Sequence, residues 1–230
     1  MDNVVANIPL PRGRVLNGEA STRNKILDAA EALFARRGYS GVGMREVADA
    51  VGIGKSSLFH HFTSKVQLHA AVAGRILDIF DRRLTAALEI PGDAVARFDH
   101  WLETLIDTLV EYPTSARLLL RSLFEDDELT GTSEEERHVD ATLHHLVATL
   151  AELLQRGMAA GAFRKASIPH TLQSLIGLTV YHFASGEFGD ELIGKSVFSP
   201  EAVKRRKQEV RDFLHLGLVS GAAVRPRPVK

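Results

Sequence analysis

The chain has 230 residues, 45% hydrophobic and 25% charged, an ordinary globular composition with enough length to bury a substantial core. It contains no cysteine, which excludes disulfide scaffolds, cysteine-ligated zinc, iron–sulfur clusters and thiol nucleophiles. The formal net charge of −1 is unevenly spread: residues 1–66 carry 9 Lys and Arg against 6 Asp and Glu, the remainder 19 against 23, so a mildly basic head precedes an acidic body.

Residues 1–20 hold Pro9, Pro11, Arg12, Gly13 and Arg14 and no apolar block behind a basic start, and no uninterrupted run of about 18 apolar residues occurs. A flexible arm, no secretion signal, no membrane span and a cytoplasmic location are therefore expected. Nearly every periodic stretch follows the 3.6-residue pattern, with Gly or Pro at helix-length intervals, so the fold is expected to be all-α. Ile26, Ala29, Ala30, Leu33 and Phe34 form one stripe of a first helix, N-capped by Ser21 or Thr22 and stopped at Gly38. Met44 to Val51 is a second helix, ended by Gly52, and Lys55 to Phe62 a third. Ser64 and Gln67 read as a reciprocal capping box that starts a fourth helix at Lys65, running to about Glu89 before Pro91 and Gly92. Further helices are expected at about 94–111, 113–126, 133–160, 169–186 and 200–219, with Pro113, Pro169 and Pro200 at helix starts. Residues 186–199 read as a connector and 222–230 as a flexible Pro/Arg tail.

The second and third helices, separated by a glycine turn, form a helix-turn-helix whose second member fits a DNA major groove about 12 Å wide. Ala48 and Gly52 allow the two to cross closely, while Ile53, Leu58 and Phe62 are expected to pack inward with Phe34. Lys55, Ser56, Ser57, Phe59, His60 and His61 are left facing outward, and no acidic residue occurs from Lys55 to Lys65. Base reading is assigned to Lys55, Ser57 and His60, with Ser56 on the same surface; phosphate positioning is assigned to Arg45, His61 and Lys65. For each of these the plainer alternative is a solvated surface side chain.

Residues 23–68, RNKILDAAEALFARRGYSGVGMREVADAVGIGKSSLFHHFTSKVQL, resemble the DNA-binding domain of the tetracycline-repressor (TetR) family. The resemblance rests on ILDAAEALFARRG, REVADAVGI and KSSLFHHFTSK, in that order. It implies a repressor whose residues 21–66 bind double-stranded operator DNA and whose residues 67–221 form a helical domain for effector binding and dimerisation. This chain departs from the pattern at Gly43 and Gly54, where the family usually has Thr or Ser, at Phe59, where it usually has Tyr, and at Ser56, where Gly or Ala is common. Side-chain phosphate contacts therefore cannot be carried over to Gly43, Gly54 or Phe59.

In the body, the helix beginning near Pro169 is apolar nearly all round and must be covered on two sides. The resemblance implies a homodimer built on the last two helices, and Leu172, Ser174, Leu175, Gly177, Val210, Phe213 and Gly217 are the expected interface. A small-molecule effector pocket is assigned to Trp101, Leu105, Arg117, Arg121, Phe124, Tyr181 and Phe183, a mostly apolar set with two cations for an acidic ligand. Aromatic core packing, and local pairing of the two arginines with Glu125 or Asp126, explain the same residues.

Two other readings stay open on sequence grounds. One is a helix-turn-helix protein controlled by a protein partner. The other is a helical-bundle metalloenzyme using Glu134, His138 and His145, which share one helix face; the opposite face carries Leu143, Leu146, Val147, Leu150 and Leu154, so the Glu/His side is most simply the wet one. No second Glu-x-x-His helix, nucleophile motif or cofactor fingerprint accompanies it, so no metal, cofactor or enzymatic activity is expected.

Overall fold

The computed structural model describes residues 21–124 and 133–221, with the backbone alone over 121–124. The expected arm at 1–20, the tail at 222–230, the last residues of the 113–126 helix and the side chains of Arg121 and Phe124 lie outside the described residues. The helices are α1 (Thr22–Arg37), α2 (Met44–Val51), α3 (Lys55–His61), α4 (Lys65–Leu88), α5 (Ala94–Glu111), α6 (Ser115–Phe124), α7 (Glu134–Ala159), α8 (Ile168–Ile176), α9 (His182–Ala184), α10 (Glu187–Ile193) and α11 (Pro200–Leu218). No strand occurs among the described residues, only an isolated bridge between Phe163 and Val219. The all-α reading holds.

The described residues gather into two compact units: 21–79 with 111–124 and 133–143, and 80–110 with 144–221. The first unit is thus larger than the 21–66 segment expected to bind DNA. In it α1 buries Ile26, Leu27, Ala30 and Phe34, starting where Ser21 Oγ accepts from the Asn24 amide at 3.3 Å. Phe34 and Tyr39 both meet the His69 ring edge-on, with centroids 5.2 and 5.1 Å away. The buried Glu31 carboxylate is answered by Arg75, which also holds Asp28 at 2.5 Å, so α1 and α4 are tied by a paired charge.

In the second unit, α5 buries Phe98, Trp101, Leu102, Leu105, Ile106 and Leu109 on one face. Phe98 stacks on Trp101 and meets Phe163 edge-on at 5.6 Å. The other flank of α5 forms an antiparallel ladder of ion pairs with α11: Asp107 with Lys207 at 2.5 Å, Glu103 with Arg211 at 2.6 Å and Asp99 with His215 at 2.7 Å. Each rung lies one turn from the next on both helices, the spacing at which side chains share a helix face.

Two elements differ from expectation. The stretch 186–199 is not simply a connector, because it contains α10, whose Phe188, Leu192 and Ile193 are exposed. Between α8 and α9 the chain makes a π-helical turn, Gly177–Tyr181, in place of regular α-helix.

Candidate nucleic-acid interface

The turn of the helix-turn-helix follows from one glycine. Gly52 sits at φ 74, ψ 31, in the left-handed region that L-residues avoid. Its amide reaches Asp49 O at 3.2 Å while that of Ile53 reaches Ala48 O at 3.0 Å, the two bonds of a Schellman ending that satisfies the last carbonyls of α2. At the other end of α2, where Gly43 has no side chain to cap with, Glu46 supplies the cap: its Oε2 accepts from the Gly43 amide at 2.9 Å. Its Oε1 takes Arg37 Nη1 at 2.5 Å. The backbone bond first, and Arg37 second, hold the Glu46 carboxyl below its ordinary range.

Helix α3 is anchored by Leu58 and Phe62, both 0% exposed and one turn apart. Ile53 is only half-buried, so it contributes less to that anchor than its position in the sequence implied. Opposite the anchor, Ser56 and His60 face solvent one turn apart, flanked by the half-buried Ser57. Lys55 is exposed, with Nζ 5.6 Å from the centre of the Phe59 ring, and no carboxylate pairs with it among the described residues. Arg45 and His61 are also exposed. Lys65 differs: it is half-buried, its Nζ 4.1 Å from the Tyr39 ring centre, so part of its charge is spent on an aromatic face.

The joint to α4 was only partly legible. Ser64 Oγ accepts from the Gln67 amide at 3.1 Å as expected, but Gln67 Oε1 reaches back to the Thr63 amide at 2.7 Å, not to Ser64. The other end of the same side-chain amide donates to Glu135 at 2.9 Å, and Glu135 also takes Arg23 at 3.4 Å. One glutamine therefore fastens Thr63, in the link between α3 and α4, to the start of α7. No sequence signal marked Glu135 for this.

Of the expected effector residues, Arg117 belongs to the first unit and Trp101, Leu105, Tyr181 and Phe183 to the second. Trp101 and Leu105 are core residues of α5, 7% and 6% exposed, and Phe183, 1% exposed, belongs to a separate cluster with His182 and Phe198. Arg117 and Tyr181 are exposed, Tyr181 at 56%. The expected interface residues also divide. Leu175 and Val210, each 2% exposed, are covered by their own chain and are not available to a partner. Phe213 is 64% exposed, Ser174 and Gly177 are exposed, and Leu172 and Gly217 half so. Their exposed apolar neighbours are Tyr181, Leu192 and Leu216, on or beside the same helices.

The Glu/His face of α7 is dispersed among carboxylates of α4. His138 Nε2 lies 2.8 Å from Asp78 and His145 Nε2 3.7 Å from Asp81, and no group of three or more His, Asp or Glu among the described residues is placed to hold a metal ion. No helix of the described residues is long and apolar enough to cross a membrane.

A family model described as "Bacterial regulatory proteins, tetR family" matches residues 26–72, and one described as "Tetracyclin repressor-like, C-terminal domain" matches 95–214. The chain belongs to the TetR family. Among its relatives, the HTH-type transcriptional activator FasR of Mycolicibacterium smegmatis is 34% identical over 108 residues, 47% of this chain and 48% of its own, so the match spans about half of that relative. The HTH-type transcriptional repressor KstR2 of the same organism is 30% identical over 153 residues, 63% of this chain and 69% of its own. The crystal structure of AibR in complex with isovaleryl coenzyme A and operator DNA has the same fold, with a TM-score of 0.68 at 20% identity over 84% of this chain and 97% of that one. The two matched regions, 26–72 and 95–214, coincide with the helix-turn-helix segment and with most of the helical body.

Proposed function

We propose that this TetR-family chain is a sequence-specific, cytoplasmic DNA-binding regulator, acting as a homodimer and released from its operator by a small-molecule effector. The observation that carries the DNA-binding part is α3 itself: a helix pinned by Leu58 and Phe62 that turns Lys55, Ser56 and His60 outward with no acidic side chain from Lys55 to Lys65. Such a surface approaches phosphate without repulsion and offers donors and acceptors to base edges. Ser57 is a secondary reader, Arg45 and His61 position phosphates, and Lys65 does so with a charge already half engaged. Two heads are needed because operators of helix-turn-helix dimers present half-sites about 34–36 Å apart, and the exposed Phe213, Leu216 and Tyr181 supply apolar surface for the partner. Effector control, and a repressor's role, draw support from relatives: KstR2 is named a repressor, and AibR is described with both an acyl coenzyme A and operator DNA. The activity is binding, and no enzymatic step is assigned.

The test is anisotropy titration of the purified chain against DNA from upstream of its own coding sequence, at fixed salt and with scrambled competitor. A saturable complex at least 10³-fold tighter than the scrambled duplex supports the reading, in line with the usual specific-to-non-specific ratio of about 10³ to 10⁷. Equal affinity for both duplexes rejects it.

A further inference from the structure

One charged residue interrupts the buried stripe of α11. Ala202, Val210 and Leu214 fall on one face with Arg206 at four-residue intervals, and the three apolar members are at most 6% exposed. Arg206 thus faces the interior of its unit. Its Nη2 donates to the carbonyl of Leu178, within the π turn Gly177–Tyr181, and its Nε is buried with no acceptor. π turns are rare and occur frequently at functional sites. One turn beyond Leu178, His182 presents an Nε2 that is also buried and unpaired. Burial first, and the positive charge of Arg206 second, push this imidazole down to about 4, so the ring is neutral at physiological pH. Phe183 packs edge-on against the ring at 4.8 Å and fixes its plane. Glu209, the carboxylate that acts on Arg206 among the described residues, is exposed and already holds Arg205 at 2.5 Å. Arg206 Nε and His182 Nε2 are thus two buried nitrogens without a hydrogen-bond partner, near enough for the guanidinium charge to act on the imidazole, and native interiors rarely leave such atoms unanswered.

We propose that Arg206 and His182 bind the anionic head, a carboxylate or phosphate oxygen, of a small-molecule effector. The site rests on the reading of the chain as an effector-controlled regulator and gives that effector its chemical class. The Leu178 carbonyl holds the guanidinium from one side and leaves Nε–H to donate to the anion, while His182 donates Nε2–H to the same group. An acidic effector is thus taken up by the segment where α8 passes into α9, and Arg117 and Arg121, whose spacing local pairing explains equally well, are not needed for it.

Thermal denaturation of the full chain at constant ionic strength tests this with octanoate, inorganic phosphate, octanol and sodium chloride. Octanoate or phosphate is expected to raise the wild-type melting temperature while octanol and chloride do not, and Arg206→Met and His182→Phe are each expected to weaken the response at least ten-fold in concentration. Should Arg206→Met fail to fold, Arg206→Lys, which keeps the charge but loses the planar fork, carries the same expectation. The proposal is overturned if wild type responds no more to octanoate and phosphate than to octanol and chloride, or if the variants respond as wild type does. It is equally overturned if wild type is insensitive and Arg206→Met dissociates a wild-type dimer in sedimentation, since the acceptor is then a side chain of a second copy. Wild-type DNA titration run alongside separates the two levels: DNA binding without an anion response removes this site alone, whereas absence of sequence-specific binding removes the regulator reading beneath it.

Discussion

Leu58 and His60 stand two residues apart on α3 and face opposite ways, so truncating each to alanine should give opposite phenotypes. Leu58 is 0% exposed on the inward side of α3; Leu58→Ala removes a fully buried side chain and is expected to cost about 2–5 kcal/mol. At about 2–4 °C per kcal/mol for a chain of this size, the melting temperature falls by roughly 4–20 °C. His60 is exposed opposite the anchor, so His60→Ala should leave stability within about 0.5 kcal/mol while weakening operator binding by about 1–3 kcal/mol, roughly 5- to 150-fold in Kd. Urea unfolding reads the first quantity, and anisotropy on operator and scrambled DNA, corrected for active fraction, reads the second. The reasoning is refuted if Leu58→Ala leaves the unfolding midpoint unchanged, or if His60→Ala keeps wild-type affinity and specificity.

Three further outcomes follow from the same geometry. Lys55→Ala should lose about 1–3 kcal/mol of operator affinity with relaxed specificity, whereas Lys65→Ala should weaken all sequences alike and lower the salt slope by about one; because Lys65 lies over Tyr39, only the latter should also lower the melting temperature slightly. Phe213→Glu, at a side chain 64% exposed in the single chain, should yield monomers in sedimentation with little loss of helix content, while retention of the dimer would move the interface elsewhere. The Glu46 carboxyl is held below its unfolded value near 4.5 by the Gly43 amide and Arg37, so its contribution to stability is present above that value and is lost as pH falls below it; melting curves from pH 6 to 3 should show a shallower acid slope for Glu46→Gln than for wild type.

Helix positions were legible because their signals are local. Ser21, Gly52 and Pro200 stand where a cap, a left-handed turn and a first turn require those residues, and the helices begin and end beside them. α10 escaped because Phe188, Leu192 and Ile193 are exposed and draw no core-facing stripe against polar neighbours. The π turn escaped because that helix is apolar nearly all round, so the register shift of about 100° from an inserted residue leaves no mark on its pattern. The exposure of Ser56 and His60 was legible through the Leu58 and Phe62 spacing, since whatever opposes a buried i, i+4 pair must face out. For the effector residues the signal is weaker: Arg117 and Arg121 stand out only for their charge one turn apart, and periodicity does not say which side of a helix its neighbours cover. Arg206 stands in the basic run Lys204 to Lys207, which by sequence alone suits a solvated face, and its place in the buried stripe shows once Ala202, Val210 and Leu214 are seen to be covered.

The measurement that bears most directly on the central claim is footprinting of the full chain on DNA upstream of its own coding sequence, with wild type and His60→Ala in parallel at one salt concentration. A protected site made of two half-sites centred about one helical turn, or a multiple of it, apart, lost or degraded by His60→Ala, is the predicted result. Uniform protection without boundaries, or a bounded site that His60→Ala leaves intact, would contradict it.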